Sequence, residues 1–107
     1  MPKNVRFLFI IIDGLIKEEL SMVVFRVKSS TDIKKLGGAI FTNIKNCDEL
    51  ELSCLGAGSL NQAVKSVIIA KSFAAPVGIN LVVDPSFALT EVEEQEKTLI
   101  KLIVRKI

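Results

Sequence analysis

Between residues 49 and 65 the chain changes its hydrophobic rhythm within a few positions, and that change limits the folds open to it. Leu50, Leu52 and Cys54 alternate with Glu49, Glu51 and Ser53, the period of a strand with one face buried. Gly56-Ala57-Gly58-Ser59 follows at once. Then Leu60, Ala63, Val64, Val67, Ile68, Ala70 and Ala74 recur at helical spacing. A strand, a glycine turn and a helix in immediate succession describe an α/β unit. At the start of such a helix the first N–H groups lack partners and the dipole is positive, so an anion, above all phosphate, can be held there. The same turn serves equally well as a tight connection that binds nothing.

Composition narrows the choice. A chain of 107 residues, half apolar and a quarter charged, makes one globular domain with a modest core. Fourteen Lys and Arg against twelve Asp and Glu leave a net charge of only +2. A dedicated nucleic-acid binder usually shows a basic stripe instead. There is no His, which removes the commonest neutral-pH acid–base group and the commonest metal ligand. Cys47 and Cys54 form no C-x-x-C pair and no zinc spacing, and no metal or other cofactor is expected. Two scattered thiols point to a reducing cytoplasm and to small packing residues rather than reactive groups. Ser59, Ser66 and Cys54 have no base to activate them, so no catalytic residue is expected and the chain reads as a non-enzyme.

Residues 1–21 differ from the rest. The run Phe7-Leu8-Phe9-Ile10-Ile11-Ile12 is broken by Asp13 and Gly14, too short for a membrane span of roughly 20 apolar residues. Lys3 and Arg6 ahead of it resemble a signal peptide, but a small-x-small cleavage site is missing and Lys17-Glu18-Glu19 follows. Lys-Glu-Glu can be encoded by AAG-GAG-GAA, which contains a bacterial ribosome-binding sequence, and Leu20-Ser21 supplies a spacer before Met22. The expectation is that translation starts at Met22, that residues 1–21 are an extension outside the native protein, and that residues 22–107 form the domain.

From Met22 the elements follow in order. Residues 22–28 alternate with Val23, Phe25 and Val27 on one side, a strand. Ser29-Ser30-Thr31-Asp32 supplies capping residues for a helix that aligns Ile33, Leu36, Ile40 and Ile44. Gly37 and Gly38 inside it cost roughly 1 kcal/mol each relative to Ala, which predicts close approach to the sheet or to the second helix. That second helix is expected over residues 59–75. Ile69 and Phe73 lie on its opposite side among Gln62, Lys65 and Ser66, and are covered either by the neighbouring hairpin or by a homodimer seam. Pro76 and Gly78 stop the helix. Residues 79–83 and 99–104 read as strands, joined by a long loop or hairpin arm carrying Glu91, Glu93, Glu94 and Glu96. The order is β-α-β-α-β-β: a two-layer α/β sandwich, with a four-stranded mixed sheet and two helices on one face.

At this point the residues carry a resemblance. Gly56-Ala57-Gly58-Ser59-Leu60-Asn61-Gln62-Ala63-Val64-Lys65, with Ala75-Pro76-Val77-Gly78 and the ending Thr98-Leu99-Ile100-Lys101-Leu102-Ile103-Val104, resembles the bacterial stage V sporulation protein S family. The similarity runs from Met22 to the C-terminus, and chains of that family begin at a Met corresponding to Met22. It implies membership of the Alba superfamily, small proteins of this element order that commonly dimerise. Archaeal members bind DNA or RNA, while the sporulation protein regulates spore development.

The residues only partly support nucleic-acid binding. DNA-binding Alba proteins carry Arg and Lys at the loop entering the second helix and along a basic arm. Here the loop is Gly56-Ala57-Gly58-Ser59, with Gln62 where a base would be expected, and the arm is acidic, which repels a duplex. The candidate interface is therefore Lys28, Gly56, Gly58, Ser59, Asn61, Gln62 and Lys65, and the candidate dimer seam is Ile69 with Phe73. Most of the lysines read equally well as ordinary solvated charges. The function expected is a non-enzymatic, cytoplasmic, homodimeric regulator of sporulation or development that acts through weak DNA or RNA binding. The alternative is a regulator acting by contacts with partner proteins, and no membrane association is expected.

Overall fold

A computed structural model describes the backbone of residues 3–12 and 15–107, and side chains from Met22 onward. The elements are β1 (Lys3–Ile12), β2 (Leu15–Val27), α1 (Ile33–Ile44), β3 (Glu49–Cys54), α2 (Ala57–Ala74), a single 3-10 turn at Ala75–Val77, β4 (Leu81–Val92) and β5 (Gln95–Lys106). Strands β2 to β5 with the two helices give the expected β-α-β-α-β-β order, and β1 adds an edge strand, making the sheet order β1-β2-β3-β5-β4. β2 and β3 are parallel, as the crossover through α1 requires, and all other pairs are antiparallel. The first expected strand, residues 22–28, is the second half of a longer one. The expectation that residues 1–21 are foreign to the domain rests on residues whose side chains lie outside the described set.

Both helices pack on one face of the sheet. Leu36, Ile40 and Ile44 of α1 are fully buried against Leu50 and Leu52 of β3 and Val104 of β5. Phe25, Val27, Cys54 and Leu102 complete the sheet side of the core. Register explains the choice of residues, since Phe25 opposes Leu52 and Val27 opposes Cys54.

The buried side of α2 differs from the one its periodicity suggests. Ser59, Ala63, Ser66, Val67, Ala70 and Ala74 face inward, while Val64 and Ile68 are 46% and 60% exposed. Small residues face inward because α1 comes very close. A Cβ built on Gly37 would lie 2.6 Å from Ile69 Cγ2 and 3.0 Å from the Ser66 carbonyl oxygen. The Ser66 hydroxyl is satisfied within the helix by donating to the Gln62 carbonyl at 2.7 Å. Ile69 thus packs on α1, and Phe73 meets Phe41 of α1 with ring centroids 6.0 Å apart. The second apolar side of α2 thus meets α1 rather than the hairpin, with Ile69 half-buried there and Phe73 left 46% exposed.

The loop or arm expected after residue 83 is a continuous hairpin. β4 and β5 pair from Leu81–Lys106 out to Val92–Gln95, and Glu93 and Glu94 turn the corner with φ of 51° and 62°. A two-residue turn with both φ positive matches the twist of the strands, although Asn-Gly is the usual choice. Pro85 sits on β4, an edge strand, where its missing N–H leaves no ladder bond unmade.

The two helix glycines should therefore behave oppositely. Gly37→Ala is expected to destabilise the fold by about 1–3 kcal/mol through overpacking against Ile69. Gly38 has open space around its Cβ position, so Gly38→Ala should stabilise by about 0.5–1 kcal/mol. Urea denaturation of the two variants measures both.

Candidate nucleic-acid interface

Because β2 and β3 run parallel and each leads into a helix, both helices begin above the same sheet edge. Val27 and Cys54 are register partners at that edge. After Val27 the chain turns tightly: the Lys28 N–H donates to the Thr31 hydroxyl at 2.8 Å, and the Thr31 N–H donates to the Lys28 carbonyl at 3.1 Å. After Cys54 it passes through Leu55 and Gly56, whose φ of 94° suits glycine alone.

The two loops are braced against each other. Gln62 Nε2 donates to the Thr31 carbonyl at 2.9 Å, and a Cβ on Gly58 would fall 2.9 Å from Ser29 Cβ. Gly58 is glycine because Ser29 needs its space. The buried Ser59 hydroxyl is shared between the carbonyls of Leu55 and Gly56 at 2.8 and 2.9 Å. Two of the polar candidates, Ser59 and Gln62, thus hold the turn in shape with the groups a ligand would need.

The helix starts differ in what they offer an anion. At α1 the Asp32 carboxylate accepts from the N–H groups of Lys34 and Lys35 at 2.9 and 3.1 Å. Those bonds, the Lys35 one foremost, hold its pKa below the ordinary value, so a negative charge already fills that position. At α2 the N-cap is Gly56 and no side chain caps the helix. The N–H groups of Ala57 and Gly58 are at an exposed, uncapped start. Ala57, Asn61 and Lys65 follow at four-residue spacing, all exposed, and Lys28 is exposed on the adjoining loop. Gly56, Gly58 and Asn61 therefore lie at the open helix start, with Lys28 exposed on the adjoining loop and Lys65 exposed about two turns along α2. Ile69 and Phe73 stand apart from it, against α1.

Two features escaped the sequence reading. Arg26 lies on the sheet face away from the helices, and the alternation Val24, Arg26, Lys28 was the available signal. Val64 and Ile68 are exposed because α2 turns its Ala63, Val67, Ala70 and Ala74 side to the core, which periodicity alone does not register.

The remaining chemistry is quiet. Burial pushes the Cys54 thiol up to about 11 and raises that of Cys47, which makes both poor nucleophiles. Among the described residues no group of three or more His, Cys, Asp or Glu is placed to hold a metal ion, and no helix is long and apolar enough to cross a membrane.

Fold and site together define a small two-layer α/β domain whose second helix opens on a glycine turn. The family model described as Stage V sporulation protein S matches residues 23–107, and the chain belongs to that family. The family places the chain in a sporulation-related role.

The bracing role assigned to Gln62 has a direct test. Gln62→Ala should lower stability by about 1 kcal/mol by leaving the Thr31 carbonyl without its donor, whereas Asn61→Ala should leave stability nearly unchanged. Thermal unfolding followed by circular dichroism distinguishes the two.

Proposed function

We propose that the chain is a non-enzymatic regulator of bacterial sporulation or development that works in the cytoplasm by weak nucleic-acid binding at the α2 start. The observation that carries this reading is the uncapped start at Gly56, flanked by the exposed Lys28 and Lys65. Phosphate fits there as a ligand, since backbone donors, the helix dipole and two ammonium groups act together. Low affinity follows from the same residues. No Arg lines the turn, and Glu91, Glu93, Glu94 and Glu96 on the arm oppose a duplex backbone.

The exposed apolar strip favours a second element, self-association. Val64 and Ile68 on α2 lie beside β4, where register puts Val83 and Phe87 on the same face as the buried Val104 and the half-buried Ile100. Phe87 is 78% exposed and Leu89 67%. An apolar strip of this extent on a small domain marks a contact surface. We propose it as the homodimer face in preference to Ile69 and Phe73, whose side of α2 is partly taken by α1. The same strip also suits a partner protein, which is the route by which a regulator would act without nucleic acid.

Binding to duplex DNA and to single-stranded RNA, titrated with salt, tests the first reading. Affinity should fall as salt rises, and Lys28→Glu with Lys65→Glu should weaken binding and reduce the salt slope by about 1 per lysine. Absent binding at low salt, or binding indifferent to salt, would leave regulation by protein contacts. For the dimer, sedimentation equilibrium should show the wild type dimeric and Ile68→Lys with Phe87→Lys monomeric. An unchanged mass in the folded variant places the seam elsewhere.

A further inference from the structure

The sheet face turned away from the helices carries a groove of about 500 Å³, within the usual range for small-molecule sites. Its floor is a cross-strand row. Arg26 on β2 opposes Ser53 on β3, and Ser53 opposes Lys101 on β5. With strands about 4.8 Å apart, Arg26 and Lys101 start roughly 10 Å apart with only a serine between them. Among the described residues neither cation takes part in an ion pair. Arg105, four residues further along the same face of β5, is held by Glu49 and Asp84 at 3.1 Å each. The outer face thus sorts its charges, with an ion-paired end and an end where two cations flank a hydroxyl. Side chains of this length can close on a single anion that the Ser53 hydroxyl also reaches, which relieves their mutual repulsion.

The rest of the lining restricts the ligand further. Glu51, next along this face of β3, and Glu91 of β4 at the rim bring carboxylates that repel a phosphate from their side of the groove and accept from hydroxyl groups. Leu55 and Leu99 supply apolar wall. Phosphate for the cations, hydroxyls for the carboxylate and a flat apolar body for the wall are the parts of a nucleotide. We propose that this groove binds a nucleotide by its phosphate between Arg26 and Lys101, either free or as one unit of a single strand. The site is separate from the α2 start and stands or falls independently of it.

Amide chemical-shift titration of the full chain with AMP, adenosine and a uridine hexamer provides the test. AMP should move signals around Arg26, Ser53 and Lys101, and adenosine should bind more weakly. Arg26→Ala with Lys101→Ala should bind AMP at least roughly tenfold more weakly, the loss of two charge-assisted hydrogen bonds. Lys45→Ala, remote on the C-cap of α1, should match the wild type. Tighter binding of the hexamer through the same residues assigns a strand, and preference for AMP assigns the free nucleotide. Equal binding of adenosine, undiminished binding by the folded double variant, or no shifts in this row with AMP or hexamer would overturn the proposal. Failure of the Lys28 and Lys65 variants to change nucleic-acid affinity would leave these AMP shifts in place.

Discussion

The parallel pairing of β2 with β3 is the constraint from which the rest follows. Parallel neighbours need a crossover, and α1 provides it over the sheet face that Phe25, Val27, Leu50, Leu52 and Cys54 make apolar. Once α1 lies there, α2 must share the same face, and the two helices compete for limited width. Gly37 resolves the competition by giving Ile69 the room a side chain would take. The parallel pair also brings both helix starts to one edge, with α1 closed by Asp32 and α2 open at Gly56.

This closeness divides the surface of α2 among different tasks. Its inward side is lined mostly by Ala and Ser because α1 approaches so closely. Ile69 and Phe73 meet α1, while Val64 and Ile68 turn toward β4 and solvent. Asn61 and Lys65 remain exposed on the first three turns after the glycine turn. One helix therefore seals the core, carries the exposed strip and frames the open start. A substitution on it needs to be interpreted by side, not by hydrophobicity.

Much of the fold was legible in the sequence. The switch from alternation to helical spacing around Gly56 located β3 and α2, and Asp32 marked the start of α1. Less was legible where tertiary contact outweighs local pattern. Leu60, Val64 and Ile68 looked like one face with Ala63 and Val67, yet packing against α1 and the sheet leaves Val64 and Ile68 outside. The arm was ambiguous because Glu93-Glu94 is an unusual pair for a turn with two positive φ values. At the site, Ser59 and Gln62 had the chemistry of ligand-binding groups, but their partners, the carbonyls of Leu55, Gly56 and Thr31, are visible only in three dimensions. Glu51 broke the expected alternation too, being 5% exposed on the face opposite the helices.

Pro85 affects more than its own strand. β4 closes one side of the sheet, so its outer backbone groups would otherwise present a continuous template for another strand. A proline interrupts that template with a residue that cannot donate and that resists the backbone geometry an incoming strand would impose. Lateral addition of strands at this edge, one route to open-ended fibres, is thereby disfavoured. Any contact at this side of the sheet is left to side chains above it, where fit is set by shape rather than by a repeating backbone ladder.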